Sequence, residues 1–313
     1  MTGFVLRRVG QTLLALFGVA VVVFSLIHMV DGDPIRAALG TRFDPEVYET
    51  LLARSGLDQP LPVQFVDWMT SAVVGDLGVS FSSGRAVTTI LFERLPATIA
   101  LALGSLLVGL LIAIPAGIVS AVRQGKASDY LATGFSQIGI SVPDFWFGLL
   151  LILLVSRTLG WLPPGGYVPI TDDPVEGLRR LVLPCLTAGV VTGSILTRFV
   201  RSSVLEAMQA DHVRLARAKG MPERDVLRHH VLRNAWSPVL TVTGLQLGTL
   251  LGGIVVVEVV FSWPGIGRLA LDAVGARDYP VLQGSVLFIA AGFLLINLLV
   301  DLLYGRLDPR ISR

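Results

Sequence analysis

The segment Asp211–Asn234, DHVRLARAKGMPERDVLRHHVLRN, gathers three imidazoles, His212, His229 and His230, with Arg214, Arg217, Lys219, Arg224, Arg228 and Arg233. Side chains of these types could ligate a metal, neutralise nucleic-acid phosphates, or form a charged docking surface for another protein. The metal reading fails on spacing. His229 and His230 are adjacent and leave a helix on different faces, His212 lies beyond Gly220, and no cysteine is near, so no metal site is expected. A DNA-reading helix-turn-helix needs a core of its own, which an insert between two long apolar runs can scarcely build, so no nucleic-acid partner is expected. Docking to a protein explains more, and some of the arginines would also rest on anionic lipid headgroups.

A second set of polar groups is embedded in apolar surroundings: His28, Gln137, Asp144, Gln246, Glu258, Asn297 and Asp301. Such groups are costly at membrane depth, so they face protein or a water-filled path. Asp144, Gln246, Glu258, Asn297 and Asp301 are the candidates for lining a path. Glu258 leads them because it closes a long apolar run, and Asn297 and Asp301 share a helix face four residues apart. The alternative is interhelical hydrogen bonding, or a place at a span end within reach of water. No phosphate-cradling Gly-x-x-x-x-Gly-Lys-Ser/Thr loop, His-Glu-x-x-His or Gly-x-Ser-x-Gly is present, which argues against an enzyme and against a cofactor held by this chain.

These residues sit in a chain of 313 residues that is 53% hydrophobic and only 15% charged, the composition of an all-α integral membrane protein. Apolar runs of spanning length recur at Gly10–Val30, Ala97–Val122, Leu131–Ser156, Leu181–Val200, Trp236–Val260 and Gln283–Tyr304, which predicts six transmembrane helices. The first run lacks a cleavage site and reads as an uncleaved span rather than a signal peptide. Pro115, Pro143 and Pro184 read as kinks, with Pro143-Asp144 the place where a span could divide. The segments 1–9, 123–130, 198–235 and 305–313 hold 15 of the 25 basic residues, which places them and both termini in the cytoplasm. The loop 31–95 then lies outside, and its helix-compatible patterns, punctuated by glycine and proline, predict a small folded element. The lone Cys185 can form no internal disulfide and reads as a small buried residue. Closely spaced glycines in LGSLLVG, GVVTG and LGTLLGG predict tight helix packing.

Within the basic segment, Val204, Leu205, Met208 and Leu215 mark a first helix. Gly220 suits a left-handed C-terminal cap, and Pro222, Glu223 and Asp225 suit the start of a second helix. Val226, Leu227, Val231 and Leu232 give that second helix an apolar stripe. The product is a helix, a sharp turn, and a helix leading back into the membrane.

This hairpin resembles the cytoplasmic loop of ABC importer membrane subunits. The family's Glu-Ala-Ala triplet falls on Arg214, Leu215 and Ala216, so only the last alanine is kept, and its Leu-Pro falls on Leu232-Arg233. ARAKG and HVLRN are the form found in the dipeptide/oligopeptide/nickel permease branch. The remaining motifs resemble the first of that branch's two permeases from end to end: LRRVGQTLLAL, DGDP, GLDQPLPVQF, GDLGVSF, ERLPATIALAL, SVPDFWFGLLL, GWLPPGGY, VVFSWPGIGRL, DYPVLQG and DLLYGRLDPRI.

The resemblance implies a type I ABC importer permease fold in a bacterial or archaeal cytoplasmic membrane. An N-terminal region 1–93 would precede a transmembrane domain 94–304, with a coupling loop at 201–235 and a tail at 305–313. It further implies a second homologous permease, two ATPase subunits that bind ATP and Mg, and an extracytoplasmic solute-binding protein. Asp211, His212, Arg214, Ala216, Arg217 and Lys219 would dock the ATPase, and Gly220 would set the turn. The outside loop and SWPGIGRL would face the binding protein or an outer gate. Peptides are the substrate class the branch suggests. An ion-coupled transporter or channel using Asp144, Glu258 or Asp301 is the rival reading.

Overall fold

The computed structural model describes residues 2–29, 32–40 and 43–307. Two helices of 36 residues, α5 (Val87–Val122) and α8 (Pro174–Gln209), form its spine. Each is roughly 54 Å long at 1.5 Å per residue, well beyond a hydrocarbon core of about 30 Å, so their ends project from it. They pack closely because small residues meet along the seam. A methyl group at Gly193 would lie 3.0 Å from the Gly109 carbonyl, and one at Gly109 would lie 3.1 Å from Thr192. Cys185 is buried on this seam, as expected. Pro115 and Pro184 lie inside their helices without ending them.

Around the spine lie α1 (Thr2–His28), α6 (Ala127–Ser141), α7 (Asp144–Leu151, continued as a π-helix over Ile152–Thr158), α11 (Leu232–Gly253) and α14 (Tyr279–Leu307). Among the described residues, α1, α5, α8 and α14 are each long and apolar enough to cross a membrane. The pair α6 and α7 makes a fifth candidate, bent by 100°. Here Pro143 divides the expected Leu131–Ser156 span rather than kinking it, because the residue before a proline is driven to extended backbone and Val142 adopts it. The expected Trp236–Val260 span is also divided: α11 stops at Gly253, and α12 (Val255–Val260) follows Ile254. Asn234, Thr241, Thr243, Gln246 and Thr249 leave α11 too polar to count as a candidate span by composition. Val30 and the tail from 308 onward lie outside the described residues.

The loop after α1 folds as expected. Its helices are α2 (Pro34–Leu39), α3 (Pro45–Ser55) and α4 (Leu61–Val73). Asp33 caps α2 by accepting from Ile35 N and Arg36 N, and Asp44 caps α3 by accepting from Glu46 N and Val47 N. The Tyr48 hydroxyl donates to Asp33 at 2.8 Å, which ties the two helices together and raises the tyrosine's pKa. Ile35, Leu51 and Phe81 form the element's small core.

Two of the sequence motifs meet at the base of this element. Asp278 of DYPVLQG is 2% exposed and accepts from Ser80 Oγ and Ser82 Oγ, both at 2.6 Å, and from Phe81 N and Ser82 N, both at 3.1 Å. One carboxylate thereby collects donors from the end of GDLGVSF and from Ser82 after it. Asp278→Ala is expected to cost about 2 to 3 kcal/mol, since four donors lose a charged acceptor. The measurement is protease accessibility at 74–86 together with the thermal midpoint; unchanged values would sink this role.

Candidate functional site

The basic segment folds as a hairpin. It begins with α9 (Asp211–Ala218), set off from α8 by extended backbone at Ala210. Gly220 N–H donates to Arg217 O at 2.9 Å and Met221 N–H to Ala216 O at 3.3 Å, the bond pair of a Schellman cap. Gly220 has φ +75°, a left-handed conformation that suits glycine. Pro222 stands one residue before the second helix rather than in its first turn. That helix starts as α10 (Glu223–Asp225), widens to a π-helix over Val226–Val231, and runs into α11.

The hairpin has a buried face and a free face. Val213 and Ala216 of α9 pack with Val226 and Val231, against Val200, Val204 and Ala207 of α8, Ala121 of α5, and Ala235 and Val239 of α11. The hairpin's core is therefore shared with the spine, so displacing α9 strains α8 and α11 directly. Ala216 is 4% exposed, and its surface is used within the chain rather than offered to a partner. Asp211, His212, Arg214, Arg217, Lys219 and Gly220 are all exposed. Leu215, one of the apolar residues that mark the first helix in the sequence, is 58% exposed.

Polar pairs brace the turn. Asn234 Nδ2 donates to His230 O at 2.7 Å and to His212 Nε2 at 2.9 Å, joining α11 to α9. His229 Nδ1 lies 3.2 Å from Asp225 O, and among the described residues no group of His, Cys, Asp or Glu could hold a metal. Arg217 grips Glu223 across the turn through Nε at 3.1 Å and Nη2 at 2.6 Å. The guanidinium lowers the Glu223 pKa, and the carboxylate raises that of Arg217. A lowered carboxylate pKa contributes stability that is complete above the unfolded value, about pH 4.3, and is lost as pH falls through the folded one. Both groups are well exposed, so Arg217→Ala is expected to cost only about 0.5 kcal/mol, less in high salt. Thermal unfolding at pH 7 and below pH 4 checks this; equal losses at both would count against the pair.

The five path candidates separate. Glu258 on α12 is 2% exposed and accepts from Arg268 N at 2.7 Å. Its carboxylate fills the space that a side chain at Gly265 would need, against the start of α13 (Ile266–Ala276). It is an internal helix cap, not a group lining a path, because the helix N-terminus supplies the donors that a buried anion needs. Trp263 is 1% exposed and donates from Nε1 to Ala97 O at 2.8 Å, and Ile266 N donates to Thr98 Oγ1 at 2.9 Å. The centre of SWPGIGRL is therefore an internal knot rather than an outward surface, although Ser262 is exposed. Asp301 is ion-paired with Arg8 at 3.0 Å, which fastens α1 to α14. Asp144, the first residue of α7, accepts from Phe145 N at 3.1 Å and stays half-exposed. Gln246 is half-buried on α11, and Asn297 Oδ1 is buried on α14 near Gly248 with no hydrogen-bond partner among the described residues.

Sequence reasoning passes over a carboxylate that the fold uses as a tie between helices. Asp129 of α6 is 5% exposed and receives Arg201 Nε at 2.9 Å, Arg201 Nη2 at 3.1 Å, Gly125 N at 2.9 Å and the Ser120 hydroxyl. Three helices, α5, α6 and α8, are joined through one carboxylate close to the hairpin core. The partners are 72 residues apart, so no local spacing signals the pair.

Solved ABC transporter structures share the fold of this chain. The chain superposes on a methionine ABC transporter in an inward-facing conformation, MetNI, with TM-score 0.57 at 20% identity, covering 70% of this chain and 96% of that one. It superposes on an amino acid ABC transporter crystallised with histidines at TM-score 0.52 and 17% identity, covering 71% and 94%. The fold is that of a type I ABC importer permease. Residues 113–313 match the family of binding-protein-dependent transport system inner membrane components, and residues 1–102 match that family's N-terminal component. The chain belongs to this family and is a multi-pass protein of the cytoplasmic membrane. It is 38% identical to the di/tripeptide transport system permease DppB of Pseudomonas aeruginosa and to the dipeptide permease DppB of Escherichia coli K12, with 99% of each chain covered. It is 41% identical to a putative peptide transport permease of Brucella suis, again over 99% of each. Membership makes the chain a transport component rather than an enzyme, working with ATPase and binding-protein partners.

Proposed function

We propose that this chain is the first of two permease subunits of an ATP-driven peptide importer, with di- or oligopeptides as substrate. The observation that carries the coupling role is the α9 hairpin: one face is buried in a core shared with α8 and α11, and the other is free and basic around Leu215. Two ATPase subunits, which bind ATP and Mg, meet Asp211, His212, Arg214, Arg217 and Lys219, with Leu215 as the apolar anchor. The second permease closes the path, beside which we retain Asp144, Gln246 and Asn297. Six crossings with both termini in the cytoplasm suit this assembly: α11 makes the sixth, and the α2–α4 element of the N-terminal region 1–93 then faces the solute-binding protein. The transmembrane domain is 94–304.

Reconstitution of the chain with its partners in proteoliposomes is the test. Uptake of labelled dipeptide is expected to require ATP and the binding protein and to survive collapse of the ion gradients. Uptake that follows the ion gradient without ATP would establish the secondary-transporter reading instead.

A further inference from the structure

The α2–α4 element meets the end of α1 through a polar contact whose hydrogen-bond accounting is unusual. His28 Nδ1 lies 2.8 Å from Phe24 O, and its Nε2 lies 3.0 Å from Gln64 Oε1. A carbonyl can only accept. The Gln64 amide is oriented by its own bonds, since Nε2 donates to Gln59 O at 2.7 Å and Leu57 O at 3.2 Å. Rotating that amide would turn its oxygen toward two carbonyl oxygens, so Oε1 is what faces the ring. Both ring nitrogens therefore face acceptors, and only the doubly protonated imidazolium can donate to both.

The surroundings suit a cation. The ring lies on Phe24 with centroids 4.1 Å apart and planes tilted by 31°. It borders a cavity of about 350 Å³ that is also lined by Asp67 of α4, Asp76 of the following loop and Trp68. Among the described residues that line it, α14 adds the titratable Tyr279 and α3 adds no charged side chain, so Asp67 and Asp76 are the charged groups that share the cavity with the ring.

We propose that His28 is a proton-operated clasp. Its charged ring fastens α4 onto α1, and loss of one proton releases one of the two bonds and leaves a lone pair facing an oxygen. Imidazole changes charge between about pH 5 and 8, so the element tightens in mild acid and loosens in mild alkali. The clasp depends on neither the substrate nor the orientation proposed above, and purified full-length protein in detergent tests it by itself.

The measurement is amide hydrogen exchange across 59–68, corrected for intrinsic rates, from pH 5.5 to 8. Protection is expected to fall about tenfold as pH rises, the scale of one charge-assisted hydrogen bond. His28→Gln should remove the pH step, and His28→Lys should keep protection high and flat. Should His28→Gln fail to fold, Gln64→Ala serves the same purpose, because it leaves the ring but deletes its acceptor. Asp67→Asn and Asp76→Asn should shift the step without abolishing it. A pH step that persists in His28→Gln or Gln64→Ala, or no step in the unaltered protein, would overturn the proposal.

Discussion

Gly220→Val is expected to cut ATP-dependent uptake at least tenfold while the subunit still inserts and assembles. A methyl group at Gly220 would meet nothing within 4 Å, so crowding inside the chain is not the obstacle. The obstacle is conformational. At φ +75° an L-residue pays about 1 to 2 kcal/mol, and a β-branched one more. That is roughly a tenfold loss of the correctly closed turn. Opening the turn frees the carbonyls of Ala216 and Arg217 and lets α9 drift from the α8–α11 core. Asparagine tolerates the left-handed region, so Gly220→Asn should keep most of the uptake. The contrast is the useful part. Full activity in the valine variant would remove the turn from the mechanism, and equal failure of both variants would point to a partner surface pressed against Gly220.

Asp129→Ala is expected to be the most destabilising single change, at about 3 kcal/mol, because it strands a guanidinium that is partly withdrawn from water. The side chains of Asp129 and Arg201 are 8% and 30% exposed, so the cost is set near the lower end for a broken buried pair. The same substitution leaves Gly125 N and the Ser120 hydroxyl without their acceptor and uncouples α6 from α8. Arg201→Ala should cost less, since Asp129 keeps two other donors, and the double variant should lose less than the sum of the two. Thermal unfolding of the purified subunit, run as a double-variant cycle, measures this directly. Strict additivity would show that the two side chains do not act as a pair.

Much of this was legible along the chain because the signals are local. Apolar length marks a span, a proline after Ser141-Val142 marks a bend, and Lys219-Gly220-Met221-Pro222 marks a cap, a turn and a new start. The capping aspartates Asp33 and Asp44 each stand directly before a proline that opens a helix, so the α2–α4 element is readable in the same way. The path residues were not legible. Glu258 and Asp301 look alike in sequence, as carboxylates embedded in apolar runs, and a carboxylate of that kind has no local feature that says whether its partner is water, a substrate or another helix.

By itself the sequence determined that the chain is helical and membrane-embedded, that a basic hairpin turns at Gly220, and which family its ordered motifs resemble. Periodicity, caps and charge bias act over a few residues and survive without the fold. Only the tertiary structure decided which polar groups are already spent. Glu258 is occupied by Arg268 N, Asp301 by Arg8, Asp278 by the loop after Ser80, and Asp129 by Arg201. It also turned Leu215 outward and Ala216 inward. A buried charge must be satisfied by whatever the packing brings within about 3 Å, and three of those four pairings reach across at least 72 residues of chain.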